Sequence, residues 1–151
     1  MAFGGLTAGV LDGMDAVLFY GLVDGVKPSA LFHFIASGLL GVQSFYGGWR
    51  TVALGIALHF VVAFGAAAFY YAASFQFPAI LRRPFLCGPV FGMGLFFFMQ
   101  RVVIPLSAVR QRTTDMPPIE LLDQLLSHTV FVGLTIALLA RRSARPGQTS
   151  S

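Results

Sequence analysis

The sequence predicts an all-α membrane protein with four transmembrane helices plus a short interfacial or re-entrant helix between the first and the second. Two features of the composition and one of the patterning indicate this class. The chain of 151 residues is 56% hydrophobic and only 11% charged, whereas soluble domains carry about 25% charged residues. Its mean hydropathy is +0.78. Its apolar runs approach the length of about 20 residues that a helix needs to cross a bilayer.

Polar and proline-rich breaks delimit the four predicted spans. Prolines suit the first turn of a helix, and tryptophan, tyrosine and arginine favour the membrane interfaces. These signals place the spans at residues 3–23, 51–74, 85–106 and 119–140. Residues 1–142 therefore form one transmembrane domain, and residues 143–151 (SARPGQTSS) are expected to be a disordered tail.

The segment SALFHFIASGLLGVQSFYGG, which begins at Ser29, separates the first two predicted spans. It is short, and Ser29, His33, Ser37 and Ser44 form a thin polar stripe at roughly helical spacing. An interfacial or re-entrant helix fits this pattern better than a full span.

The distribution of basic residues predicts the orientation. An even number of spans puts both chain ends on one side of the membrane. That side carries the larger cluster: Arg82, Arg83, Arg141, Arg142 and Arg145. The opposite side carries Lys27, Arg50, Arg110 and Arg112. Because cytoplasmic loops are enriched in Lys and Arg, both termini are expected in the cytoplasm.

Polar side chains recur within the apolar runs, and they share a depth. At 1.5 Å of rise per residue, Asp15, His59 and His128 lie roughly 12–14 Å from the same end of the bundle. Charged groups are costly in hydrocarbon and usually mark function there. The sequence therefore predicts a buried Asp/His/Arg cluster in which Arg101 is the counter-ion of an aspartate. Its candidate members are Asp12, Asp15, His59, Gln100, Arg101, Asp123 and His128.

Several functions fit such a cluster. It could handle protons or a small solute, as Asp and His chains do in transporters, or serve only as structural pairing. Each histidine could instead donate to a backbone carbonyl. His59 and His128 could also ligate a haem or a metal ion, although no cofactor is the main expectation. A third alternative is a non-catalytic membrane component that acts by associating with partner proteins.

No GxSxG, HExxH, Walker loop or GxGxxG motif occurs, so the sequence makes no case for an enzyme. The lone Cys87 excludes an internal disulfide framework. The lipid bilayer is the expected partner and nucleic acid is not. Because four helices leave only a narrow pathway, solute transport would require a homo-oligomer. The substrate is not predicted.

Four stretches carry a family resemblance: IASGLLG (35–41), ALGIALHFVVAF (53–64), CGPVFGMGLFFFMQRVVIPLSAV (87–109) and SHTVFVGLTIALLARR (127–142). They resemble the YagU-like family of small bacterial inner-membrane proteins, with His59, Pro105 and His128 at matching positions. The likeness covers most of residues 5–142 and is clearest from Ala53 onward. The chain lacks the extended connection after the first span of larger members. The resemblance implies a multi-span bacterial inner-membrane protein, and no defined chemistry.

Overall fold

The structure is a computed structural model that describes residues 1–108 and 117–144. Within these ranges the chain forms helices, 3₁₀ and π segments, turns and bends, and no strand. The helices are α1 (Ala2–Val23), α2 (Pro28–Leu40), α3 (Gly48–Gln76), α4 (Ala79–Arg82), α5 (Pro84–Leu106) and α6 (Pro118–Ser143). Four of them, α1, α3, α5 and α6, are long and apolar enough to cross a membrane. The predicted all-helical class, with four helices long and apolar enough to cross a membrane, is therefore confirmed.

The four long helices alternate in direction. Gly4 of α1 lies beside Tyr71 of α3, and Gly13 lies beside His59, so these two helices run antiparallel. The Tyr71 hydroxyl and Ser143 Oγ, 3.1 Å apart, join α3 to the last residue of α6. We call the two ends of the bundle the Asp24 end, where α1 ends and α6 begins, and the Arg83 end, where α1 begins and α6 ends. The predicted tail falls largely on residues 145–151, outside the described residues.

The predicted short helix between the first two spans is present as α2. Pro28 occupies its first turn, and Gly41 ends it with a φ of +61°, which favours glycine. A 3₁₀ segment, Gly41–Tyr46, leads into α3. Helix α2 packs so closely on α3 that a Cβ atom at Gly55 would overlap the backbone of Phe32. Its position relative to the bilayer, interfacial or re-entrant, stays a prediction.

A hydroxyl group fastens this connection to the start of α3. Thr51 Oγ1 lies 2.7 Å from the carbonyl oxygen of Ser44 and 2.9 Å from Nδ1 of His33. The hydroxyl donates its proton to the carbonyl, so the His33 ring donates to Thr51 in turn. His33 therefore helps to hold the connection against the start of α3.

The apolar core lies toward the Arg83 end and consists mostly of small residues. Small side chains let helix backbones approach in lipid, where apolar burial gives little driving force because lipid tails are equally apolar. Large apolar side chains such as Phe75 and Leu22 point outward instead. The buried core residues are Ala8, Ala66, Ala67, Tyr70, Val132, Ile136, Ala137 and Ala140.

Helices α5 and α6 meet backbone to backbone through glycines. A Cβ atom at Gly92 would overlap the carbonyl oxygen of His128, and one at Gly133 would overlap the carbonyl oxygen of Gly88. In lipid, such close approach is a main source of helix association.

Two segments of these helices adopt π-helical hydrogen bonding: Met99–Val103 in α5 and Ser127–Leu134 in α6. Segments of this kind are rare and occur frequently at functional sites. They also rotate the residues that follow, relative to their positions in a regular α-helix. A prediction that assumes 3.6 residues per turn throughout does not include this rotation.

We expect Gly92→Ala to lower the free energy of unfolding by about 1–3 kcal/mol, because the added methyl group meets backbone that cannot yield locally. The measurement is unfolding of the purified protein in mixed detergent micelles. Gly94→Ala is the matched control, since nothing lies within 4 Å of a Cβ atom there. Equal stability of the two variants would contradict the proposed backbone contact.

Candidate functional site

Polar side chains join α1, α5 and α6 near the Asp24 end. The Tyr20 hydroxyl donates to Oε1 of Glu120 over 2.5 Å. Nε2 of Gln124 donates to the Tyr20 oxygen over 2.6 Å, and Nε2 of Gln100 donates to Oε1 of Gln124 over 3.2 Å. Gln100 is only 7% exposed. The four side chains thus form one continuous chain of hydrogen bonds across three helices.

A second polar contact lies deeper between α1 and α6. Ser127 Oγ donates to Oδ1 of Asp12 over 2.8 Å. Ser127 is buried, and Asp12 is half-buried. Asp12 and Tyr20 are eight residues apart on α1, and their partners Ser127 and Glu120 are seven residues apart on α6. The Asp12–Ser127 and Tyr20–Glu120 contacts therefore lie along one seam between the two antiparallel helices.

Four carboxyl groups gather along this seam. Asp12 and Asp15 are three residues apart on α1, and Glu120 and Asp123 are three residues apart on α6, so each pair lies on nearly one face of its helix. These are four of the six acidic residues of the chain. In residues 1–108 and 117–144, no basic side chain forms an ion pair with any of them. We refer to Asp12, Asp15, Glu120 and Asp123 as the carboxyl cluster. Its composition makes the seam a site that favours protons or cations over anions.

The buried Asp/His/Arg cluster predicted from the sequence does not form among the described residues. Arg101, the predicted counter-ion, is exposed, whereas its neighbour Gln100 points inward. One residue along a helix turns the side chain by about 100°, so only one of the two can face the other helices. Equal depth was therefore insufficient to bring Arg101 and the aspartates together.

The two predicted histidines bind backbone carbonyls. Nε2 of His59 donates to the Gly9 carbonyl oxygen over 2.8 Å, which joins α3 to α1. Nδ1 of His128 donates to the Gln124 carbonyl oxygen over 2.9 Å, within α6. His128 also packs edge-on against Phe96. These bonds are the local alternative that the sequence left open for each ring.

The described residues contain no group of three or more His, Cys, Asp or Glu side chains arranged to hold a metal ion. A bis-histidine haem or metal site at His59 and His128 stays a prediction that the geometry does not test.

The candidate members predicted from the sequence do not include Tyr20, Glu120, Gln124 or Ser127, which the structure places in the polar contacts. Tyrosine near the end of a span is the usual signal of a membrane interface, which hid its role. The spacing nevertheless indicates this role, because Tyr20 is two turns from Asp12 and can present its hydroxyl group to the same neighbouring helix. Asp15, favoured over Asp12 from depth alone, makes no hydrogen bond in the described part of the chain, whereas Asp12 does.

No protein-family model, curated protein or solved structure matches this chain. The resemblance to the YagU-like family therefore stays a prediction from the sequence.

We expect Tyr20→Phe to destabilise the protein by about 1 kcal/mol, because it removes the acceptor of Gln124 and the donor to Glu120 while keeping the ring. Unfolding in mixed micelles measures this loss. Tyr46→Phe is the control, because that side chain is 88% exposed. If both variants matched the wild type, the hydrogen-bond chain would not contribute to stability.

Proposed function

We propose that this chain is a multi-pass protein of the bacterial inner membrane that moves or senses protons or a small cationic solute at the carboxyl cluster. The single observation that carries the proposal is the placement of Asp12, Asp15, Glu120 and Asp123 along the seam between α1 and α6, without a basic partner among the described residues. The family resemblance supports the bacterial membrane setting only.

Electrostatics supports a cationic ligand. Several half-buried carboxylates along one seam within a membrane repel one another, and the surrounding hydrocarbon adds to the cost of their charge. Binding a proton or another cation relieves both costs, whereas an anion would add to them. Binding or release of a proton or cation changes the charge of the seam. A cation transporter or sensor requires its conformation to respond to such a change.

The hydrogen-bond chain supports a functional rather than a random grouping. Glu120 accepts from Tyr20, and Tyr20 accepts from Gln124, so the orientation of each group depends on its neighbour. Protonation of Glu120 would alter that order, since a protonated carboxyl can donate as well as accept. The chain thus offers a way to pass a change at the carboxyl cluster to Gln100 on α5.

The surface residues support the predicted placement in the membrane. At the Asp24 end, Tyr46 and Trp49 are 88% and 76% exposed beside the start of α3, as expected for an aromatic belt. This fits α2 as an interfacial helix. At the Arg83 end, Arg82 and Arg83 are exposed, which is typical of a cytoplasmic face and supports cytoplasmic termini.

Proton flux into liposomes tests the proposal. We expect the reconstituted wild type to dissipate an imposed pH gradient and Asp123→Asn to lose this activity, because the substitution keeps the shape but removes a carboxyl group. Asp24→Asn is the control, since Asp24 is an exposed acid beyond the end of α1. Flux that is equal in wild type and Asp123→Asn would rule out proton movement through the cluster.

A second candidate, association with a partner protein or another copy, is favoured by small residues that face outward. Ala53, Ala57 and Gly65 of α3 are exposed, and nothing lies within 4 Å of a Cβ atom at Gly65. Exposed small residues in lipid permit another helix to approach closely. A homo-oligomer would also supply the wider pathway that four helices lack.

For this candidate we expect Ala57→Leu to weaken self-association, because a larger side chain separates the helices. Chemical crosslinking in native membranes, compared with the wild type, is the measurement. Val61→Leu is the control at an exposed position that is already occupied by a larger residue. Unchanged crosslinking of Ala57→Leu would exclude this face of α3 from the contact.

A further inference from the structure

We infer that, in the conformation described here, the carboxyl cluster exchanges ligands with water only from the Asp24 end of the bundle. This inference rests on the proposed function and adds the membrane face from which the site is filled. It follows from the unequal distribution of polar and apolar contacts along the four long helices.

The polar contacts begin at the Asp24 end and stop midway. Tyr20 lies three residues before the end of α1, and Glu120 lies two residues after the start of α6. The deepest contact of the seam between α1 and α6 joins Asp12 to Ser127, and the His59 bond to the Gly9 carbonyl oxygen lies three residues further along α1. At 1.5 Å of rise per residue, Asp12 is about 16 Å and Ser127 about 13 Å from the Asp24 end. The polar seam therefore reaches roughly the middle of the membrane and no further.

Close helix contacts seal the bundle directly below this point. Between α1 and α3, a Cβ atom at Gly9 would lie 2.9 Å from the Phe60 ring and 3.1 Å from Ala63. Between α5 and α6, Gly92 meets the backbone of His128. Distances this short leave no space for water between the helices at the level of either contact.

Beyond these contacts, toward the Arg83 end, the helices enclose an apolar layer. Ala8, Ile136 and Ala137 are completely buried, and Ala140 is 1% exposed. A proton or cation entering from that end would have to cross this packed region without hydrogen-bonding partners, which is costly for any charged species. An apolar layer thus separates the polar seam from the hydroxyl groups of Tyr70, Tyr71 and Ser143 at the Arg83 end.

One consequence concerns mechanism. A continuous channel requires polar or hydrated groups from face to face, and in this conformation the apolar layer around Ala8, Ile136 and Ala137 interrupts them. Movement through the site would then require the contacts at Gly9 and Gly92 to open, as in a carrier with alternating access. The π segment Ser127–Leu134 begins at the deepest contact of the polar seam, where such a change would have to start.

Cysteine labelling from defined faces tests the inference in the full-length protein. Cys87→Ser supplies a cysteine-free background, since Cys87 is the only cysteine. Ser127→Cys reports on the bottom of the polar seam, Asp24→Cys on one face and Arg82→Cys on the other. The probe is a membrane-impermeant, positively charged methanethiosulfonate, applied to right-side-out and inside-out membrane vesicles.

We expect Ser127→Cys to react with the probe in the vesicle orientation in which Asp24→Cys reacts. In the orientation in which Arg82→Cys reacts, we expect Ser127→Cys not to react. Reaction from the Arg82 face, or from both faces, would overturn the inference. So would protection from both faces, provided that the thiol reacts after unfolding in dodecyl sulfate. Gln124→Cys repeats the test one turn nearer the Asp24 end if Ser127→Cys does not fold.

The labelling and the flux measurements fail independently. One-sided labelling without proton flux in the wild type would remove the proposed movement and keep the one-sided access. Flux that depends on Asp123 together with labelling from both faces would keep the function and overturn the access inference.

Discussion

The backbone contact between α5 and α6 at Gly88, Gly92 and Gly133 is the constraint on which the rest of the bundle depends. Apolar side chains gain little by leaving lipid for a protein interior, so packing and polar contacts must hold the helices together. Glycine allows α6 to lie against α5 with carbonyl groups where side chains would otherwise stand. That position of α6 brings Gln124 within reach of Gln100 and presents the carboxyl-bearing face of α6 to α1.

The same bundle contains two different interiors because close packing and polar pairing occupy different halves. Small apolar residues fill the Arg83 half, where helices approach closely. Toward the Asp24 end, the side chains between the helices are longer, and their polar atoms satisfy one another instead of facing lipid. The hydrogen-bonded side chains of Tyr20 and Gln124 lie between α1 and α6. They would not fit if these two helices were closer together. Close apolar packing and polar pairing are thus separated along the length of the bundle.

The two histidines illustrate how a residue type that suggests chemistry can serve packing. His59 donates to the Gly9 carbonyl group at the level where α1 and α3 converge, and thereby ties the two helices together beside the carboxyl cluster. His128 donates within its own helix, at the start of the π segment, where the ordinary hydrogen-bond ladder is interrupted. Both rings therefore bind backbone groups near the functional seam without pairing with its carboxyl groups.

Composition and apolar run length alone determined the helical membrane class, the four long helices and the presence of a short helix before α3, because hydrocarbon enforces length and internal hydrogen bonding on any spanning segment. They also placed the polar residues at comparable depth, since rise per residue is constant. Which side chains meet was decided only by the tertiary structure. The rotation of α5 turns Gln100, and not Arg101, toward the other helices. This rotation depends on the π segments and on the glycine contacts between helices, and a single stretch of sequence does not reveal contacts between helices.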